Sequence, residues 1–571
     1  MPLARLEDEL HQLLQKALTE GLNLPESTVS GLKPPFLEIP KEESFGDIST
    51  SLALKLAQVL KTSSKEIAQK LLTFLNRRIP VSAIKNSIEK TDIAGAGFIN
   101  FHFSKEYFYS LLKQILINSE DYFVSQPKKT KRVLVEFVSA NPTGPLSVAH
   151  GRQAAVGDAL CNVLALSGYE VTREYYLNDA GNQINILGNS IHLRLQELTG
   201  KTIEFPDDHY QGDYIIALAR ELLEKPETSH RQGGVPPRRQ NRKPEEYKEY
   251  CKEYGVRRIL EIIRKELEDF GVKFDSWFSQ KSLEKSGKIE KAIAFLKEKG
   301  FIYEQEGAVW FSSTKFGDDK DRVIVKSDGS YTYLAPDIAY HQDKFKRGFD
   351  WLINLWGPDH HGYVGRLKAA VSALGKEKGA LNVIIVQLAT LFRAGKVISM
   401  STRKGEYITL RQVLDEVGLD AARFFFLMRR TDSHLDFDLE LAKQETPENP
   451  VYYVQYAHAR IASILENAKV PFSQIQEADI SLLKEKEEIN LLKAVSKFEN
   501  CLRVAEIQLD PYCLTTYLQE LAERFHRFYD SVRVLVEDGG VKDARLALIL
   551  GCKNIIALGL KLSGVSAPEK M

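Results

Sequence analysis

The spacing of apolar and polar residues divides the chain into stretches with different predicted structure. Residues 1 to 118 open with an amphipathic helical pattern, MPLARLEDELHQLL, and close with DIAGAGFINFHFS, in which a glycine-rich turn runs into an alternating strand. This pattern predicts a small α+β module. The charged run KKTKR at 128–132 is typical of a solvated linker and is taken as the boundary before the next unit.

The segment 133–168 predicts a strand, a turn and a helix. The strand VLVEFVS is rich in β-branched and aromatic residues, and the turn NPTGP at 141–145 ends it. Apolar residues then recur at helical spacing at 155, 156, 159, 160, 163 and 164. From 133 to about 438 strands and helical stretches alternate, which predicts a doubly wound, Rossmann-like nucleotide-binding sheet in a multidomain α/β protein.

The alternation is interrupted between 199 and 245. Within this stretch, residues 225–243 hold six Lys or Arg residues against one acid, together with Pro-Pro and Gly-Gly. Such a composition predicts an exposed mobile loop. A tolerated surface insertion and a phosphate-contacting arm are both compatible with it.

After residue 445 the pattern is almost wholly helical, which predicts an all-α helix bundle. Aromatic residues recur on its helices, and they are candidates either for the bundle core or for stacking on unpaired RNA bases. The residues concerned are Tyr452, Tyr453, Tyr456, Phe525, Phe528 and Tyr529.

Charge and cysteine usage restrict the possible functions. Lys+Arg and Asp+Glu both number 77, so a polyanion has to be bound by a local basic surface and not by net charge. The five cysteines form no CxxC pair, which argues against a zinc knuckle or a disulfide framework. We expect a cytoplasmic protein, because no secretory signal and no 18-residue apolar run are found.

The predicted turn delivers His150 to the beginning of a helix. Free N–H groups and the positive end of the helix dipole favour phosphate oxygens at such a point, and a neighbouring histidine can donate a hydrogen bond to them. The sequence therefore indicates a nucleotide ligand.

The same segment carries a family resemblance. ANPTGPLSVAHGR followed by AAVGDAL resembles the HIGH-motif segment of class I aminoacyl-tRNA synthetases, specifically the arginyl-tRNA synthetases. Ser147 replaces the first histidine of that motif and Ala149 the glycine, while His150 keeps the last position. The HIGH-like motif comprises Ala140, Asn141, Pro142, Thr143, Gly144, Pro145, Leu146, Ser147, Val148, Ala149 and His150.

The resemblance implies three domains. Residues 1–118 resemble the family's additional N-terminal domain, which contacts the corner of the tRNA, and 119–445 its catalytic domain. Residues 446–571, with NPVYYVQYAHARI and the terminal SAPEKM, resemble its anticodon-binding domain. The aromatic side chains of Tyr452, Tyr456 and Tyr529 are then candidates for tRNA contacts.

Arginine recognition requires carboxylates, because a guanidinium has five donors and no acceptor. EFVSAN resembles the family's substrate-binding segment, and DGSYTYLAPDIAYH carries the tyrosine and the aspartate that hold the guanidinium in the family. A helix cap is a second, compatible role for Asp337. The arginine-binding residues implied by the resemblance are Glu136, Asn141, Ser147, Tyr333 and Asp337.

The resemblance also implies the ATP site. WGPDHHGYVGRLKAA resembles the family's ribose-binding segment, and VISMSTRKGEYITL aligns with the KMSKS loop, at 399–405. The adjacent Asp-His-His could alternatively bind a metal, but no further ligand cluster appears, and no protein-bound metal is expected. The implied ATP-binding residues are Ser147, Ala149, His150, Gly151, Asp359, His360, His361, Met400 and Ser401.

The catalytic residues implied are His150 on the phosphates and Arg403 or Lys404 on the pyrophosphate, because neither Ser399 nor Thr402 carries the usual charge and Gly144 replaces the family's upstream lysine. The predicted function is arginine–tRNA ligation. The expected substrates are arginine, tRNA(Arg) and ATP, with Mg²⁺ accompanying the ATP. The protein is expected to be a monomer that does not associate with a membrane. Two alternatives remain open at this point. They are a nucleotidylyltransferase acting on a small molecule and a catalytically silent tRNA-binding paralogue.

Overall fold

The structure is a computed structural model, and it describes residues 3–30, 32, 36–40, 42–124, 130–224, 244–398 and 407–571. The first unit is a small α+β module, as the sequence pattern predicts. Its antiparallel sheet has the order β1-β3-β2, and helices pack on it. The elements are α1 (Leu3–Lys16), α2 (Glu26–Ser30), β1 (Ile48–Thr50), α3 (Leu52–Leu60), α4 (Ser64–Arg78), β2 (Ile88–Ala94) and β3 (Phe98–Phe103).

Two further helices, α5 (Lys105–Ile117) and α6 (Ser119–Phe123), connect this module to the rest of the chain. Ser104 caps α5, because its hydroxyl accepts a hydrogen bond from the backbone N–H of Tyr107. The buried face of α5 packs against the C-terminal helices, and the Tyr109 hydroxyl donates to the carbonyl of Leu483 there. The N-terminal unit is thereby fixed to the C-terminal one. Residues 128 and 129 of the linker predicted at 128–132 lie outside the described residues.

The central unit contains the five-stranded parallel sheet predicted from the alternating pattern. Its order is β11-β10-β4-β5-β6. Strands β5 and β6 lie on one side of β4, and β10 and β11, which come later in the chain, lie on the other. The two strands on either side of this reversal, β4 and β10, form the topological switch point at which open α/β sheets bind ligands. The strands are β4 (Arg132–Glu136), β5 (Glu170–Leu177), β6 (Ser276–Ser279), β10 (Trp351–Trp356) and β11 (Leu381–Ile385).

Helices cover the sheet, and two small sheets with the orders β7-β8-β9 and β13-β12-β14 are added to it. The helices are α7 (Val148–Leu166), α8 (Asn182–Leu198), α9 (Asp213–Glu224), α10 (Pro244–Asp269), α11 (Gln280–Lys285), α12 (Lys288–Glu298), α13 (Leu334–Lys346), α14 (Val364–Ala373), α15 (Leu410–Leu427) and α16 (Leu439–Ala442). The added strands are β7 (Ile302–Gln305), β8 (Ala308–Phe311), β9 (Arg322–Val325), β12 (Ala389–Arg393), β13 (Lys396–Val397) and β14 (Leu435–Asp438).

The C-terminal unit is the predicted helix bundle. It consists of α17 (Pro450–Ala468), α18 (Phe472–Gln476), α19 (Lys486–Ser496), α20 (Phe498–Gln508), α21 (Tyr512–Ser531) and α22 (Gly539–Ser563). By length and hydropathy α22 is apolar enough to cross a membrane, but 78% of its most apolar window is buried inside the protein. It is the central helix of the bundle core, and the core cluster around it continues into both other units.

Candidate active site

The site begins where β4 ends beside β10. The register pairs Glu136, the last residue of β4, with Asn354 of β10, and both side chains are buried. After Glu136 the chain leaves the strand in a strained turn, because Val138 and Ser139 have φ angles of 65° and 39°. The turn places the Ser139 hydroxyl 3.3 Å from Glu136 Oε1, to which it donates, and the Ser139 hydroxyl oxygen in turn accepts from the backbone N–H of Tyr176.

Hydrogen bonds from elsewhere in the chain hold the HIGH-like loop that follows. The Tyr214 hydroxyl donates to the carbonyl of Thr143 and the Tyr407 hydroxyl to that of Pro145, while the Leu146 N–H donates to the Glu266 carboxylate. Gly144 lies between the two tyrosine hydroxyls, and a Cβ there would lie 3.1 to 3.2 Å from them. These contacts fix the conformation of the loop that leads into α7.

His150 lies in the first turn of α7, where its ring caps the helix. The Ser147 N–H donates to His150 Nδ1 at 3.1 Å, so the neutral ring carries its proton on Nε2. Burial lowers the pKa of His150 to about 4, and the nearby Asp359 carboxylate opposes this shift only partly. A neutral imidazole with a free Nε2–H donor at a helix N-terminus is suited to bind a phosphate oxygen.

Two carboxylates converge near this turn. Glu136 Oε2 accepts from the ammonium of Lys344, a fully buried lysine of α13, at 2.5 Å. Asp337 lies on the same helix, and its Oδ2 accepts from the Tyr363 hydroxyl at 2.5 Å. Burial raises the pKa of Asp337 to about 7, the Tyr363 hydrogen bond lowers it, and the Glu136 charge raises it. The pocket thus presents acidic groups to a cationic ligand.

Asp337 has no helix-capping role. Helix α13 begins at Leu334, so Asp337 is inside its first turn, and its described hydrogen bond goes to a side chain instead of a backbone N–H. The cap function considered for Asp337 is therefore wrong. Tyr333 precedes the helix, and its side chain is 81% exposed.

Asn141 is positioned by α8. Its Nδ2 donates to Gln183 Oε1 at 2.7 Å, and Gln183 stands in the first turn of that helix. Gln183 is not among the residues predicted from the sequence. The polar stretch LNDAGNQ at the carboxyl end of β5 is a signal that could have pointed to it.

The segment after β10 forms a 3-10 helix, Pro358–Tyr363, at the other side of the switch point. Asp359, His360 and His361 are all exposed there, and the Asp359 carboxylate lies 3.4 Å from His360 Nε2. Gly357 allows this arrangement, since a Cβ at that position would lie 2.6 Å from Asp359 Oδ1. Among the described residues, no group of three or more His, Cys, Asp or Glu side chains is placed to hold a metal ion.

The other residues of the predicted ATP site divide into two groups. Ala149 is half-buried beside His150, whereas Gly151 is buried, and a Cβ there would lie 2.7 Å from Leu410 of α15. Glycine is required at 151 for helix packing, and its contact with ATP stays a prediction. Met400, Ser401, Arg403 and Lys404, the whole loop 399–405 and the basic segment 225–243 lie outside the described residues.

In the C-terminal unit the aromatic residues separate by burial. Phe525 and Phe528 are fully buried, so they belong to the core. Tyr452 and Tyr456 stack with an interplanar angle of 9°, and Tyr456 is 39% exposed. Tyr529 contacts the Arg460 guanidinium. Tyr452 and Tyr456 thus form a partly exposed surface on α17, and their contact with RNA stays a prediction.

The sequence-based prediction did not include Lys344, Asn354 and Tyr363. Lys344 follows Asp337 by seven residues, a spacing that puts both on one helix face, and Asn354 is the single polar residue inside the buried strand WLINLW. Both signals are present in the sequence. The pairing of Lys344 with Glu136 joins residues 208 positions apart, and no local pattern indicates it.

Comparisons with known proteins agree with this architecture. Family profiles match residues 5–103 as an arginyl tRNA synthetase N-terminal domain, 111–446 as a class I (R) tRNA synthetase catalytic domain, and 454–571 as a DALR anticodon binding domain.

Individual relatives match over most of their length. The chain is 45% identical to the arginine–tRNA ligase of Bacillus subtilis, covering 99% of each chain, and 47% identical to arginine–tRNA ligase 1 of Halalkalibacterium halodurans, covering 94% of each. The structure of the Thermus thermophilus arginyl-tRNA synthetase has the same fold, with a TM-score of 0.76 over 99% of this chain and 100% of that one at 22% identity. The chain therefore belongs to the arginyl-tRNA synthetase family, the arginine–tRNA ligases of class I.

Proposed function

We propose that the chain activates arginine with ATP to arginyl-adenylate at the switch-point pocket, and then transfers the arginyl group to the 3′ end of tRNA(Arg). The observation that carries the proposal is the convergence of Glu136 and Asp337 near the helix N-terminus that holds His150. Arginine has two cationic groups, and the pocket has two carboxylates. With both cationic groups of arginine bound, the arginine carboxylate is left free to attack ATP bound beside the N-terminus of α7.

In the first step an arginine carboxylate oxygen bonds to the α-phosphorus of ATP, and the bond to the bridging oxygen of pyrophosphate breaks. In the second step a ribose hydroxyl of the tRNA attacks the arginyl carbonyl, and AMP leaves. No protein nucleophile is required. Catalysis rests on positioning and on charge stabilisation, with His150 Nε2–H donating to a phosphate oxygen.

The arginine contacts follow from the charges of the pocket. Asp337 accepts from the guanidinium with Tyr333 covering it, and Glu136 accepts from the α-ammonium through Oε1, because Oε2 is held by Lys344. Asn141, held by Gln183, and Ser147, at the beginning of α7, border the same turn.

For ATP, we assign Asp359 to the ribose hydroxyls, and His360 or His361 to the nucleotide. Mg²⁺ is proposed to accompany the phosphates of ATP. Arg403 and Lys404 are proposed as the cations that offset the charge of the departing pyrophosphate, because Ser399 and Thr402 are uncharged.

The three units are proposed to act on tRNA together, with 1–118 at its corner, 119–445 at its 3′ end and 446–571 at its anticodon, where Tyr452, Tyr456 and Tyr529 are candidate contacts. We propose that the protein is a cytoplasmic monomer that does not associate with a membrane. The burial of α22 within the bundle supports the proposed lack of membrane association. A silent paralogue is disfavoured, because the pocket keeps two acids positioned by buried partners.

Arginine-dependent ATP–pyrophosphate exchange, measured with and without tRNA, tests the activity. The pocket is tested with Asp337→Ala. Removing one partner of a desolvated charge pair typically costs about 3 to 5 kcal/mol, so we expect the arginine KM to rise by roughly two to four orders of magnitude. Asp328→Ala is the matched control, because Asp328 is an exposed acid of the preceding turn that accepts from Ser330. A parental arginine KM in Asp337→Ala would show that the guanidinium binds elsewhere.

A further inference from the structure

The lysine that holds Glu136 is unusual in its surroundings. Lys344 is 0% exposed, and its ammonium contacts the Glu136 carboxylate at 2.5 Å, Asn354 Oδ1 at 3.3 Å and the ring of Tyr340, whose centroid is 4.1 Å away. Burying an ammonium is costly unless it is paired and hydrogen-bonded. Lys344 has both kinds of partner, and its carboxylate partner lies in the arginine pocket.

A chain of hydrogen bonds connects the two pocket acids through Lys344. Asn354 accepts from the Lys344 ammonium, and its Nδ2 donates to His341 Nε2 at 3.0 Å. His341 Nδ1 then donates to the backbone carbonyl of Asp337 at 2.8 Å. The network ties the end of β4, the middle of β10 and the first turn of α13 into one rigid group.

The charges of the pocket residues explain what this network contributes. Glu136 and Asp337 are two like charges in a poorly solvated space, and such pairs oppose each other's ionisation. The Lys344 ammonium offsets the Glu136 charge next to Asp337. Glu136 Oε1 keeps lone pairs for a ligand, since its described contact is the 3.3 Å hydrogen bond from Ser139.

We propose that Lys344 is a positioning residue for arginine activation: its buried ammonium orients Glu136 and offsets its charge, so that Asp337 accepts the guanidinium at neutral pH. The inference rests on the arginine pocket proposed above. Among the described residues, the other titratable or charged groups around the two acids include Tyr176, Tyr340, His341 and Tyr363, with Glu174 and its partner Arg347 behind Tyr340.

The experiment measures the arginine KM in tRNA-supported ATP–pyrophosphate exchange from pH 6 to about pH 8.5. Asp337 binds a cation only when it is ionised, so the parent's arginine KM should fall as the pH rises through its pKa of about 7 and then level off. The Lys344 charge lowers that pKa and the Glu136 charge raises it.

Lys344→Met should therefore move this transition to higher pH by about one unit and raise the arginine KM at pH 7 about fivefold. The ATP KM should stay parental. Lys346→Met is the matched control, because Lys346 is an exposed lysine of the same helix that donates to Gln342. A parental transition pH in Lys344→Met, or an equal loss at every pH, would overturn the inference.

Glu136→Gln separates the two proposals. If Glu136→Gln raises the arginine KM and Lys344→Met does not, the role of Lys344 fails while the pocket stands; if neither variant changes it, the pocket itself is misplaced. Where Lys344→Met does not fold, the double variant with Glu136→Gln removes both buried charges. Its arginine KM at pH 8.5 should match that of Glu136→Gln within about threefold, and an additive loss contradicts action through Glu136.

Discussion

His150→Ala tests the proposed role of His150 as a hydrogen-bond donor to the phosphates of ATP. The ring has one nitrogen engaged by the Ser147 N–H, and the other carries a proton that the described structure leaves free for a ligand. Removing one preorganised donor to transition-state charge typically costs about 2.7 to 4 kcal/mol. We therefore expect the adenylation rate to fall by roughly two to three orders of magnitude, while the ATP KM changes much less.

The same substitution also removes a helix cap, and the two effects differ in their readout. Loss of an N-terminal cap costs about 0.5 to 2 kcal/mol of stability, which lowers the unfolding midpoint but leaves folded enzyme at assay temperature. The pKa of about 4 keeps the ring neutral, so His150 should contribute no titration step to the adenylation rate between about pH 6 and pH 8.

The assay is single-turnover formation of arginyl-adenylate at saturating substrates, alongside a tRNA binding titration. His192→Ala is the control, since His192 is a half-buried histidine on the third turn of α8 whose pKa burial also lowers. It should keep the parental adenylation rate. Equal losses of adenylation and tRNA binding in His150→Ala would refute the assignment and indicate a folding role.

Two other predictions concern the pyrophosphate side and the joint between units. Arg403→Ala combined with Lys404→Ala should lower the adenylation rate by orders of magnitude. Each single variant should lose less, because the remaining cation partly compensates. A near-parental rate in the double variant would show that another cation acts on the pyrophosphate. Gly564→Ala should lower the thermal unfolding midpoint, because Gly564 has a φ of 68° and its Cβ would collide with the buried Arg423 guanidinium. Gly539→Ala, in open space at the beginning of α22, which Gly564 follows, should leave the midpoint unchanged.

Several elements of the fold follow from local pattern alone. The strand and helix on either side of His150, the parallel sheet and the C-terminal bundle all have residues whose periodicity dictates one buried face. The strand VLVEFVS is the instructive exception. It ends at Glu136, three residues earlier than its β-branched composition predicts, because Val138 and Ser139 adopt positive φ angles that these residue types rarely occupy.

Charge pairing across the sheet is the part that sequence reasoning could not supply. The sequence predicts Glu136 as an arginine-binding acid, and in the structure its carboxylate accepts a hydrogen bond from the Lys344 ammonium. That pairing depends on β10 being inserted beside β4, after β5 and β6 have been added on the other side. Strand order is a property of the whole chain, so the partner of a buried acid stays unknown until the topology is known.

The joint between the catalytic and C-terminal units follows the same physical logic as the pocket. The Arg423 guanidinium, fully buried, binds Asp158 of α7 at 2.6 Å and donates to the carbonyls of Phe270 and Ser563. A desolvated guanidinium needs acceptors on several sides, and these come from α7, from the end of α10 and from the end of α22. Helix α7 also carries His150. Because Arg423 joins α7 to α22, a shift of α22 at this joint would also displace the helix that holds His150. The position of His150, the proposed phosphate-binding histidine, thus depends partly on the C-terminal unit.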